Sequence, residues 1–316
     1  MAGQITGSSL ERVFSCPASV VLPSVKRDTA AAQVGRARHA ALQAIAEGRD
    51  KLEAAKAELS GLSEAQVAKA LVEVTGIDES QVPRGEAEVA MAYNPIAVSA
   101  RRLPTKSRKY SLDSHEIPGT ADMIVWDRDP LLVIDWKGQF ASQTDHTTQL
   151  EFYGLCAALI AGRDRVVCSV RSVSESGAIA INKEWLMTAE DLDAFAFRIS
   201  VAIKRVAEQL DEYKAGRKPD VSVGPHCRYC SCFEHCPAYV SIIARMLGLS
   251  DPESISDTDL ADAYVLSRDV ERSIEAVQVA VRNRLPQVRT ISSSDGKVIK
   301  FNSIGSIKVT DVKKAG

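Results

Sequence analysis

An α/β fold is what this chain predicts, and three observations predict it. Residues Gly119 to Lys137 hold two apolar, β-branched runs around a polar break at Asp127 to Pro130, the pattern of a β-hairpin. Alanine-rich stretches of good helix formers stand before it, and longer amphipathic stretches follow. The resulting order of helix, strand, basic stretch, hairpin, helix, strand and helix is that of an α/β core.

Taken in order, Ser8-Ser9-Leu10-Glu11 fits a capping box, with Ser8 as N-cap and Glu11 reaching back. The short helix that follows runs into Cys16-Pro17, where proline stops it. A second helix spans Ala31 to Ala46 and carries His39, and residues 50–75 form another alanine-rich helical region. Glu86 to Tyr93 alternates as a first strand, with Glu86 and Glu88 on one face: a solvent face, or one from which a glutamate reaches the hairpin's acids. After the hairpin, Asp145 to Ala161 reads as a helix, Val166 to Val170 as a buried strand with Ala178 to Ile181 beside it, and Ala189 to Tyr213 as a long helix. Gly216 to Gly224 is a linker, and a cysteine segment runs from Pro225 to Pro237. Helices are expected over Ala238 to Leu247 and Asp257 to Leu285, then a short β-like tail from Val298 to Val309. The expected parts are an N-terminal segment at 1–30, a core at 31–220, a cysteine segment at 221–240 and a helical extension at 241–316.

Composition is that of a soluble globular protein, with 45% hydrophobic and 25% charged residues. No apolar run approaches the roughly 18 residues that span a bilayer. The start, Met1-Ala2-Gly3-Gln4, lacks the basic and apolar regions of a secretory signal, which reads as a cytoplasmic protein with no membrane partner. A net charge of −2 points to no partner class, but Arg101, Arg102, Lys106, Arg108 and Lys109 crowd one stretch. That stretch is either a solvated loop or a strip that contacts phosphates. Seven cysteines, an odd number in a reducing compartment, argue against a disulfide framework. Cys156 and Cys168 lie in apolar contexts and read as small core residues.

The hairpin is where chemistry concentrates. A turn centred between Arg128 and Asp129 sets Asp122 opposite Asp135, and directly opposed side chains lie about 4.5–5.5 Å apart on one face. Lys137, two residues beyond Asp135, shares that face. Two carboxylates that close repel unless a cation separates them, and such pairs hold hard ions like Mg²⁺. In the following helix, Gln149 and Tyr153 are four apart and share a face.

The ordered set His39, Asp122, Asp135-x-Lys137, Gln149-x3-Tyr153 resembles the PD-(D/E)XK nucleases, and more narrowly their RecB-type exonuclease branch, over residues 10–240. The proline of the family's name is missing, since Ala121 precedes Asp122; Gly119-Thr120-Ala121-Asp122 matches the G-x-x-D form of that branch. The resemblance implies a restriction-endonuclease-like core that binds DNA ends and hydrolyses phosphodiesters for recombination or end processing, quite as a phage or prophage enzyme would, alone or beside a recombination or strand-annealing protein. It implies Mg²⁺ or Mn²⁺ held by His39, Asp122, Asp135 and the backbone carbonyl of Trp136. Lys137 would position the attacking water, and Gln149 and Tyr153 would contact the DNA. Two other readings stay open: a structure-specific endonuclease with the same chemistry, and a non-catalytic module that binds DNA ends. RNA as substrate is not excluded either.

Cysteines carry a second resemblance. Cys227, Cys230 and Cys236, with Cys16 far upstream, match the four positions that hold a [4Fe–4S] cluster in several relatives of that branch. As a staple it would close a loop of about 210 residues. Cys232 complicates the set, because with Cys227, Cys230 and Cys236 it completes a local group without Cys16. That local group, with His226 and His235 nearby, suits structural Zn²⁺ as well.

Overall fold

In the computed structural model, residues 4–24, 30–105, 109–138, 146–224, 226–227, 230–232, 235–238, 258, 290–292, 297–301 and 307–311 are described. The chain divides into two units, Met1–Tyr239 and Val240–Gly316.

The first unit is built on a six-stranded mixed sheet of order β2-β1-β3-β4-β5-β6. Its strands are β1 (Glu86–Asn94), β2 (Ser99–Arg102), β3 (Ile117–Val125), β4 (Leu131–Gly138), β5 (Val166–Val173) and β6 (Ile179–Met187). Only β4 and β5 run parallel; the other neighbours are antiparallel. The helices are α1 (Leu10–Ser15), α2 (Ala18–Val21), α3 (Ala30–Ala46), α4 (Lys51–Glu58), α5 (Glu64–Gly76), α6 (Thr147–Ala161) and α7 (Ala189–Lys214). The parallel step needs a crossover longer than a hairpin turn, and α6 supplies it.

Alternation along β4 separates two cores. Leu131 and Val133 face α6 and α7, against Leu150, Phe152, Leu155, Phe195 and Ile199. Leu132, Ile134 and Trp136 face α3, α4 and α5, against Ala41, Leu42, Ala55 and Val74. With period two, Asp135 and Lys137 fall on the α6 side. A sheet covered on both faces has few solvent-facing positions, and all nine residues of β3 are buried. An acid there is held for a reason other than solubility.

Helix ends follow local chemistry. Asp50 caps α4 by accepting from the Leu52 and Glu53 amides, Ser63 and Gln66 form a capping box on α5, and Thr188 and Asp191 form one on α7. Helix α6 stops at Gly162, whose φ of 62° is the left-handed conformation that glycine adopts without penalty. At the N-terminus the expected Ser8 cap is corrected: Thr6 and Ser9 form the box, around a 3₁₀ turn at Gly7–Ser9 that leads into α1. The turn spends the residues that the four-residue pattern had assigned to an α-helical start.

The basic stretch is also corrected. Arg101 and Arg102 lie in the edge strand β2, and Glu116, just before β3, and Glu86 of β1 take up their charge. Arg101 forms a two-pronged pair with Glu116 at 2.7 Å on both prongs. Arg102 pairs with Glu86 and lies over the ring of Trp126, 5.5 Å from its centroid. Both side chains are ion-paired and partly exposed; Lys106 and Arg108 lie outside the described residues.

In the second unit a small antiparallel sheet, β7 (Thr290–Ser292), β8 (Lys297–Phe301) and β9 (Ile307–Asp311), has the order β7-β8-β9. It covers the stretch expected as a β-like tail. The expected helices at Ala238–Leu247 and Asp257–Leu285 lie outside the described residues, save Ala238 and Thr258. No helix among the described residues is long and apolar enough to cross a membrane.

Candidate metal centre on the central hairpin

The β3–β4 ladder pairs Val125 with Leu132, Ile124 with Val133 and Met123 with Ile134. One further step in this register brings Asp122 beside Asp135. There regular pairing gives way: the Asp122 carboxylate turns in and accepts the backbone N–H of Trp136 at 2.7 Å. Both acids are buried, Asp135 with no exposure at all.

A third carboxylate comes from β1. The β1–β3 ladder pairs Ala87 with Met123 and Val89 with Ala121, so Glu88 stands at the step of Asp122. Its φ of 51° is left-handed, a conformation that costs a non-glycine residue roughly 1–2 kcal/mol. Strain of this kind is retained where the surroundings or the function require it. The result is a group of three: ligand atoms of His39, Glu88 and Asp122 all lie within 4.8 Å of one another. Among the described residues no other set of histidine, cysteine and acidic side chains meets that condition. The sequence offers Glu88 only as a residue on a solvent face or on one from which a glutamate reaches the hairpin's acids, and its alternation with Glu86 is the one available signal.

Electrostatics divide the two aspartates. His39, on α3, sets Nδ1 3.1 Å from Asp122. Burial alone would raise the Asp122 carboxyl, but His39, Lys137 and the Trp136 amide outweigh it and bring the pKa down to about 2. His39 moves the other way: burial disfavours its charge, and the Asp122 carboxylate more than compensates. For Asp135, burial dominates and Asp122 adds repulsion; the Lys137 ammonium offsets them only in part, and the pKa rises to about 6. Lys137 Nζ lies 2.9 Å from Oδ1 and 2.8 Å from Oδ2 of Asp135.

Helix α6 closes the site. Gln149 Nε2 donates to Asp135 Oδ1 at 3.4 Å and to the Tyr153 hydroxyl at 3.1 Å. Tyr153 is buried, and its hydroxyl, which accepts from Gln149, braces that side chain. The same ring explains the glycine of Gly119-x-x-Asp122, because a Cβ at Gly119 would sit 2.6 Å from Tyr153 and 2.8 Å from Phe152. Trp136 is present through its backbone, while its indole packs into the α3–α5 core. The position of His39 is secured by its neighbour Arg38, which forms a largely buried ion pair with Glu73 of α5.

The Glu88 and Asp122 carboxylates and the His39 imidazole, beside the buried Asp135 carboxylate, suit a hard divalent ion such as Mg²⁺ or Mn²⁺. Carboxylates this close repel, and a cation between them removes the repulsion.

The cysteines depart from the sequence reading. Cys16 does meet the distal segment, but Cys232 is the sulfur buried with it, and Cys230 and Cys236 pack against the pair. Cys227 is exposed, its Sγ accepting the Gly224 amide at 3.4 Å. The Cys232 thiol donates to the carbonyls of Ser19 at 2.9 Å and Leu22 at 3.4 Å. No four of the seven are arranged as a metal cluster. The expected set of Cys16, Cys227, Cys230 and Cys236 for [4Fe–4S], or a local one for Zn²⁺, is therefore unsupported. Spacing fixes which cysteines can meet, and the α2 carbonyls decide which one turns inward. Cys156 and Cys168 are buried core residues whose thiols burial pushes strongly up.

Compared with known proteins, residues 4–237 match the family model of the PD-(D/E)XK nuclease superfamily. No curated protein matches. Among solved structures, the crystal structure of SSO0001 is similar at 16% identity and a TM-score of 0.28, over 68% of this chain and 89% of that chain.

Proposed function

Because the chain belongs to the PD-(D/E)XK nuclease superfamily, we propose that it is a Mg²⁺- or Mn²⁺-dependent deoxyribonuclease of the RecB-like branch that degrades linear DNA from its ends. The observation that carries this reading is the convergence of His39, Glu88 and Asp122 beside the buried Asp135–Lys137 pair.

His39, Glu88, Asp122 and Asp135 would hold the ion, with the Trp136 carbonyl at the same step of β4. When bound, such an ion lowers the pKa of a water and offsets charge on the scissile phosphate. The chain's own groups do the rest. Lys137, kept charged by Asp135, holds the attacking water or a phosphate oxygen by a charge-assisted hydrogen bond. Neighbouring carboxylates favour its ammonium form, so positioning suits it better than taking a proton. Gln149 and Tyr153 fix the rotamer of Asp135, and Arg38–Glu73 fixes the helix that carries His39.

End-directed action, for recombination or end processing, rests on the Gln149-x3-Tyr153 and helix-histidine marks of the RecB branch. An end-labelled linear duplex and a covalently closed circle, each given the native chain with Mg²⁺ or Mn²⁺, test it. Digestion of the linear form alone is expected. Cutting of the circle would replace the exonuclease with a structure-specific endonuclease. Both DNAs left uncut, with the linear form alone bound, would leave an end-binding module.

A further inference from the structure

Beside the metal centre, on the other side of Glu88, lies a groove of 280 Å³ lined by Glu86, Glu88, Val89, Ala90, Arg102 and the run Leu103 to Thr105. We propose that this groove receives the sugar and base of the nucleotide whose phosphate is cut, so that it sets the register of the DNA strand on the metal. This rests on the nuclease reading above and adds a nucleotide subsite to it.

Glu88 belongs to both places. Its carboxylate lies within 4.8 Å of the ligand atoms of His39 and Asp122 and also lines the groove. A phosphate at the ion therefore has its own nucleoside next to this concavity. The volume is just under the usual range for small-ligand sites, about 300–1,000 Å³, which fits one nucleoside and not a duplex.

The walls suit such an occupant. The lining is mixed: Ala90, Leu103 and Pro104 give apolar contact for a sugar or base, and Glu88, Arg102 and Thr105 stand beside them as polar groups. The second acid is compensated: Glu86 takes the Arg102 guanidinium and the Trp126 Nε1–H, the latter at 2.8 Å. Of the groove's two acids, Glu86 is thus paired and Glu88 belongs to the candidate metal group.

The groove is also built before any ligand arrives. Leu103 N donates to Ala90 O at 2.9 Å. Further along the same connection, Tyr110 and Leu112 pack on Ala90, Ala92 and Leu103. The Tyr110 hydroxyl hydrogen-bonds Thr120 Oγ1 at 2.8 Å, two residues from Asp122. The wall is thereby tied to the strand that carries the metal ligand.

Titration calorimetry in Mn²⁺ tests this with 5′-dAMP, 3′-dAMP and inorganic phosphate on the native chain, Thr105→Trp and Pro104→Trp. Each substitution sets an indole at the groove, and thermal melts identify any variant that fails to fold. The native chain should bind one of the two nucleotides at least about tenfold more tightly than phosphate. At least one folded variant should lose that preference while its phosphate affinity stays within about twofold. Equal affinity for nucleotides and phosphate, or a preference kept by both variants, overturns the subsite. Failure of the native chain to cut DNA while it still shows the nucleotide preference would count against the nuclease reading alone.

Discussion

Replacing Asp135 by asparagine should make the metal-free protein more stable while it removes activity. Asp135 has no exposure, and burial first, then Asp122, raise its carboxyl to about 6 from the ordinary 3.8. An acid that titrates about two pH units higher in the fold than in the unfolded chain costs the fold about 3 kcal/mol at neutral pH. The sign follows from proton binding. Between pH 4 and 6 the native state holds a proton that the unfolded state has released, so stability falls as pH rises through this window. Asparagine keeps the shape and an oxygen for Lys137, but its amide must be accommodated, so about 1–3 kcal/mol should be recovered. For a chain of this size each kcal/mol moves Tm by about 2–4 °C. Thermal unfolding in EDTA at pH 7.5 should thus show Asp135→Asn several degrees above the native chain, and the difference should close near pH 4. Added Mn²⁺ should raise the native Tm and leave the variant's nearly unchanged. A variant less stable than the native chain at pH 7.5 would refute the reasoning: Asp135–Lys137 would then be a stabilising ion pair, and the acids would not be held in wait for a cation.

Three further perturbations separate the supports of the site. Gly119→Ala drives a methyl into the rings of Tyr153 and Phe152; a loss of about 1–3 kcal/mol in urea unfolding is expected, with lower nuclease activity. Arg38→Ala leaves Glu73 buried without its partner, which should cost about 3 kcal/mol and slow DNA cleavage through His39. Cys232→Ser should lower Tm, since it disturbs a buried group that donates to two carbonyls, whereas Cys227→Ser should be neutral. If Cys227→Ser instead lowers Tm as much and releases bound iron or zinc, the four-thiolate set read from spacing is restored.

The hairpin was legible because its signals are local: alternating β-branched residues, a polar turn and a two-residue period place Asp122, Asp135 and Lys137 without knowledge of the rest. Gln149 and Tyr153 were legible as a helical pair, but not their inward orientation, which depends on Gly119 leaving room for the rings. Glu88 was harder to read because its place at the site comes from the β1–β3 register, a pairing across more than thirty residues of chain. Two arginines in a row disguised β2, whose charge is absorbed by Glu86 of β1 and by Glu116, the residue before β3. Among the cysteines, spacing could name the candidates. It could not show that carbonyls of Ser19 and Leu22 would claim Cys232.

The most direct test is Mn²⁺-dependent cleavage of one end-labelled linear duplex by Glu88→Gln, Asp122→Asn and Asp135→Asn, with DNA binding measured on the same preparations. Each variant should fall by about 10³-fold or more in rate while DNA affinity stays near the native value. Activity within about tenfold of native in all three would mean that the acids around His39 are not where phosphodiesters are cut.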